Sequence, residues 1–455
     1  MRTIAAFAVL VVTYLPGMHA WAESPSLIVH EWGTFTSFQD SVGSTISGIN
    51  VDDEPVPHFV HRHREMPVFT TRSKPALWSQ GAPRCHPDVT LRLETPVLYF
   101  YPQPGYRTQT LDVTANFVGG WLTEFYPFAN GQNSGFPGAL DRSAQGSLQW
   151  KGLRLATDTK RLPQTREHVW LAPRAVNSAV VTEGQMEEAE KYLFYRGVGH
   201  IDAPLIVSEQ AGSLTISPRF ATFRPFPELW LVRVQPDGRV RYRHMRAGDQ
   251  GAEKVSIPAD ASTPSNRDDL YRELADALEK QGLFKEEALA MLETWKLSYF
   301  ESEGTRLMFV LPRSWIDAQL PLSISVPADI TRVMLGRIEL VSSSQRAKLR
   351  RLHELPANAF DLKPLYAESP TVLRNMQTGT VSHADLYRSI GREVPEALQL
   401  YDSLGRFRDA LLVHEWNATR DEAVRSRLQL VMQTFSACAP NLAATPLSPA
   451  LQSIN

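Results

Sequence analysis

The stretch DDEPVPHFVHRHREMP, residues 52–67, sets Asp52, Asp53 and Glu54 just ahead of His58, His61 and His63. His61 and His63 are two residues apart, so an extended backbone turns both rings to one face, an arrangement that suits a divalent transition metal such as zinc. A third ligand must then come from elsewhere, and His30, Glu31, His86 or an acidic side chain are candidates if the fold gathers them. A metal held by His30, His61 and His63 would lower the pKa of a bound water, with Glu31 or Asp53 as catalytic base. The segment does not fit the zinc-protease helix, because Thr34 stands where the second histidine belongs and Gly33 lies inside the turn. The alternative is a proline-bounded surface loop with solvated imidazoles, and no fixed ligand spacing decides between the two.

A second constellation is KYLFYRGVGH, residues 191–200, where an aromatic strand delivers Arg196 to a glycine turn followed by His200. A guanidinium beside two glycines can hold a carboxylate or phosphate, so Arg196 and His200 are candidate substrate-binding residues, with Trp121, an aromatic close to Glu124 in the sequence, as a third. The structural alternative is a strand end whose arginine pairs with an internal carboxylate. Glu94 and Glu124, each flanked by aromatics, would supply a general acid and base if neighbouring strands brought them together. The sequence has no Gly-x-Ser-x-Gly elbow, no Walker loop and no Cys-x-x-Cys.

The elements that must position these residues are mostly strands. From Val89 to about Arg246, short β-branched and aromatic runs alternate with turn residues, and Pro236-Asp237-Gly238 marks a hairpin. SLIV, residues 26–29, reads as a buried strand with HEWGT as its end. After IPADASTPSN the period becomes helical. Ser265 caps a first helix, Gly282 ends it, and a second carries Phe284, Ala288, Leu292, Trp295 and Tyr299 on one face. Strand-like runs return at Thr305 and helices again beyond Ser342, including SHADLYRSIG and a segment bearing His414 on an apolar face. The expected fold is α+β, a β-rich, sandwich-like body with an inserted helical hairpin and a C-terminal helical region. Its expected divisions are a signal peptide (1–22), a β-rich domain (23–260), the hairpin with returning strands of the same body (261–341) and the helical region (342–455).

Arg2 followed by an apolar run to Leu15 and the small residues around Ala22 predicts a secretory signal and a periplasmic or secreted protein. The run is too short to span a bilayer, and no membrane segment is expected after its removal. Cys85 and Cys438 are the only cysteines, and an oxidising compartment allows them to pair. A formal charge of −2 argues against nucleic-acid binding.

The blocks VHEWGTFTS, DDEPVP, LETPVLYFYP, LFYRGVG and the segment from GLFKEEALAMLETW to ITRVMLGRIEL resemble a group of exported bacterial proteins of unknown function. The resemblance covers most of residues 28–341 and implies export and bacterial origin, with no activity or site residues to carry over. Two functional readings remain. One is a metal-assisted hydrolase built on His30, Glu31, His61 and His63, with Arg196 orienting an anionic substrate. The other is a noncatalytic β-rich binding or envelope-associated protein for a small-molecule, glycan, peptide or protein partner.

Overall fold

A computed structural model describes residues 26–51, 55–63, 78–245 (except 108–109, 158, 160, 211–212 and 221–227), 255–258, 266–360, 387–388, 391 and 393–438 (except 437). The expected signal segment (1–22), Asp53 and most of SHADLYRSIG lie outside the described residues.

The α+β body is organised by one nine-stranded sheet. Its strands are β1 (Leu27–Gln39), β2 (His61–Arg62), β3 (Leu91–Pro102), β4 (Gly120–Tyr126), β5 (Leu193–Gly199), β6 (Leu229–Val234), β7 (Val240–Met245), β8 (Gly304–Val310) and β9 (Asp329–Leu340). They lie in the order β7-β6-β8-β9-β1-β3-β5-β4-β2. β1 and β9, from opposite ends of the body, pair in parallel over their whole lengths at the centre. HEWGT is therefore not a strand end: β1 runs on to Gln39, and Gly33 takes up a register shift against β3. A Cβ at Gly33 would press on Met334 and Pro96, so the glycine answers a packing need.

Side chains alternate across the sheet, so each strand feeds two cores. On one face Val29, Phe35, Leu93 and Leu98 share a core with Val113, Leu148 and Trp150 of the six-stranded second sheet, which makes the sandwich. The other face is covered twice. Helices α1 (Arg267–Lys280) and α2 (Lys285–Thr294) pack on Trp32, Val97 and Tyr99. Helices α3 (Ser343–Glu354), α4 (Glu396–Asp402), α5 (Arg408–Ala418) and α6 (Glu422–Phe435) pack on Phe38, Trp121 and Val198.

The hairpin α1–α2 is inserted between β7 and β8, strands of the same sheet. Gly282 closes α1 at φ 107°, a conformation that glycine adopts without a Cβ clash. Asn266 caps α1 instead of the expected Ser265, its side chain accepting from the Asp269 N–H at 2.8 Å. The Pro236–Gly238 turn joins β6 to β7, with Gly238 at φ 79°. Cys85 and Cys438 lie at disulfide distance, with Cα atoms 5.7 Å apart, and fasten the end of the helical region to the body. Among the described residues no helix is long and apolar enough to cross a membrane.

Candidate functional site

The proposed metal ligands are not gathered. His30 on β1 and His61 on β2 are separated by β3, β5 and β4, a span of about 19 Å at ordinary strand spacing. Each has its own partner. His30 Nδ1 sits 2.7 Å from Glu287 at the start of α2, a carboxylate that also accepts from the Tyr101 hydroxyl at 2.8 Å and the Phe284 N–H at 2.7 Å. His61 Nε2 lies 2.8 Å from Glu188, and its ring stacks on Tyr126. His63 meets the Phe136 ring edge-on. Among the described residues, the one group of three donors with metal-ligand proximity is Cys85, Asp409 and Cys438.

Glu31 is fully buried and doubly held. Arg332 Nε donates to one oxygen at 2.5 Å and the Tyr195 hydroxyl to the other at 2.5 Å, while Arg332 Nη1 reaches Asp317 at 2.7 Å. A carboxylate next to a core must be paired, and here each of its oxygens already accepts a hydrogen bond.

KYLFYRGVGH is continuous strand through Gly199, with no glycine turn. Gly197 is required because a Cβ there would overlap the Trp121 carbonyl of the neighbouring strand. Arg196 is buried and donates to Glu124, which also accepts from Arg62 at 2.8 Å. His200 Nδ1 donates to the Asp88 carbonyl at 2.7 Å, and Trp121 Nε1 donates to the Ser134 carbonyl at 2.7 Å. Glu94 and Glu124 are not on neighbouring strands, because β5 lies between β3 and β4. Both carboxylates are committed to arginines.

What the structure does bring together is a row of buried charges across the helix-covered face. Thr36 of β1 is flanked by Arg92 on β3 and Arg337 on β9, and Arg306 on β8 pairs with Glu339 on β9. Glu94, wholly buried, accepts from Arg406 at 2.7 Å and from the Thr36 hydroxyl at 2.9 Å. It also faces Arg92 at 3.3 Å and Arg337 at 3.5 Å. Burial alone would raise its pKa, but Arg406 and Arg92 hold the carboxyl below its ordinary value. Arg337 bridges Glu94 and Glu339 and lies over the Tyr299 ring. Arg306 is anchored by the carbonyls of Ser298, Tyr299 and Ser302 around the π-helical turn Leu297–Glu301. The row separates the core under α1–α2 from the core under α3–α6.

At its β8 end the row opens on the surface. A pocket of about 20 Å³ reaches Arg306, Glu339, Arg406 and Gln345. It shares Glu303, Gly304 and Leu340 with a crevice of about 220 Å³ lined also by Arg233, Gln235, Thr305 and Ser342–Ser344. The crevice lies where the β-rich body meets the first turn of α3. Sequence reasoning missed these arginines because each is a singleton. Their one signal is a guanidinium inside an apolar strand, as in TRLMFV and VMLGRIEL.

Burial also sets a pH response. His86, beside Trp121, is pushed below its ordinary value of 6.5 by desolvation, against the raising effects of the Gly138 carbonyl and Asp88; His63 and His353 are lowered by burial too. A lowered folded pKa means that the unfolded chain takes up protons first, so stability is full above 6.5 and falls as the pH drops below it. Thermal midpoints across this range should fall on acidification. A flat profile would contradict the burial of these rings.

Neither a protein-family model nor a curated protein matches the chain.

Proposed function

We propose that this chain is an exported, noncatalytic binding protein that takes a small anionic ligand in the crevice between the β-rich body and the C-terminal helices. The observation that carries the reading is the crevice itself: a cavity of about 220 Å³ with Arg233 and three serine positions in its wall, whose two carboxylates, Glu209 and Glu303, are engaged by Arg346 and Lys348, and which shares lining residues with a pocket reaching Arg306 and Arg406. Guanidinium groups and hydroxyls at the edge of a dry core favour carboxylate or phosphate groups. The metal-assisted hydrolase has less support, since His30 and His61 stand four strand spacings apart and Glu31 is held by Arg332 and Tyr195.

The test is a thermal-shift survey of the mature chain with small carboxylates, phosphates and neutral sugars, repeated on Ser343→Trp. Ser343 is exposed, so an indole there should fill the crevice without disturbing the core. Stabilisation by anions that disappears in the variant supports the site. Stabilisation by neutral sugars alone, or an unchanged anion response in Ser343→Trp, would overturn it.

A further inference from the structure

The crevice continues onto an unusual strand edge. β7 is the last strand of the nine-stranded sheet, and Arg233 on β6 stands directly opposite Arg241 on β7. Leu231 stands opposite Arg243, so Arg241 and Arg243 follow each other on the face that carries Arg233. Like charges directly opposed across a ladder destabilise the pairing. The nearby carboxylates serve other groups: Asp237 receives Arg239, and Glu228 and Glu273 face His244. Among the described residues no carboxylate pairs with Arg241 or Arg243, and both are half-exposed.

Charged edge residues deter strand-to-strand aggregation, but that purpose does not call for two arginines face to face. We infer that Arg233, Arg241 and Arg243 form a docking ladder for an acidic glycan, a chain bearing one carboxylate per sugar. The backbone positions that bear these guanidinium groups recur at about 5 Å across the strands and about 7 Å along one of them, which suits a polymer with anions at sugar spacing. Single-stranded nucleic acid would also need aromatic platforms for its bases. Trp230 and Tyr242, the aromatics of these strands, are buried in the opposite core. The inference extends the crevice reading outward and shares only Arg233 with it.

The experiment is calorimetric titration of the full mature chain with oligogalacturonate at low and high salt. Arg241→Gln/Arg243→Gln, Ser343→Trp and a single-stranded oligonucleotide serve as comparisons. The ladder requires binding that weakens with salt and drops about tenfold or more in the double variant, whose thermal midpoint stays near that of the parent. Binding kept in Ser343→Trp but lost in the double variant supports the ladder whether or not the crevice takes a ligand. No binding of oligogalacturonate, equal binding by the double variant, or tighter binding of the oligonucleotide would each overturn the inference.

Discussion

Replacing Glu94 with glutamine should destabilise the protein by about 3–5 kcal/mol, the usual cost of removing one partner from a buried ion pair. The carboxylate is wholly buried and faces Arg92, Arg337 and Arg406 together, so its loss leaves three guanidinium groups with less compensation in a dry interior. Arg406 precedes α5, so the damage should spread to the C-terminal helices as well as the sheet. The urea midpoint of Glu94→Gln measures this directly. A change below about 1 kcal/mol would mean that the row of charges does not hold the two layers together.

The second large effect belongs to the cysteines. Cys85 and Cys438 are 353 positions apart, so a bridge between them constrains a very long loop of the unfolded chain. Replacing Cys438 with serine, or reducing the native chain, should cost about 2–5 kcal/mol. It should also free the end of α6, which ends at Phe435 just before Cys438. Limited proteolysis should then cut within α3–α6 well before the sheet. Equal protease resistance of the reduced and oxidised chains would show that packing on Phe38 and Trp121 is sufficient to hold the helices.

Local features of the fold could be read from the sequence. The α1–α2 pair follows from apolar residues at helical spacing with Gly282 as the stop, and the β6–β7 hairpin from Pro236-Asp237-Gly238. Glu31 is paired, as a carboxylate buried beside apolar residues must be, but its partner Arg332 lies about 300 positions away and no local pattern points to it. The long-range pairings were not legible. No periodicity announces that β1 lies parallel to β9, or that β3, β5 and β4 come between His30 and His61. Two-residue spacing did not establish a metal site, because the topology sends each imidazole to a different carboxylate or aromatic neighbour. Arg196 shows the same limit: beside glycines it suggested an anion loop, whereas Gly197 is needed for close approach to Trp121 and the arginine is held by Glu124.

The most direct test of the central claim is a crystal of the mature protein soaked in bromide and then in selenate, with anomalous scattering used to locate the bound anion. Anion binding in the crevice requires a peak there within hydrogen-bond reach of Arg233 and the Ser342–Ser344 turn, reduced or absent in Ser343→Trp crystals. Anomalous peaks confined to other parts of the surface, with none in the crevice, would contradict it.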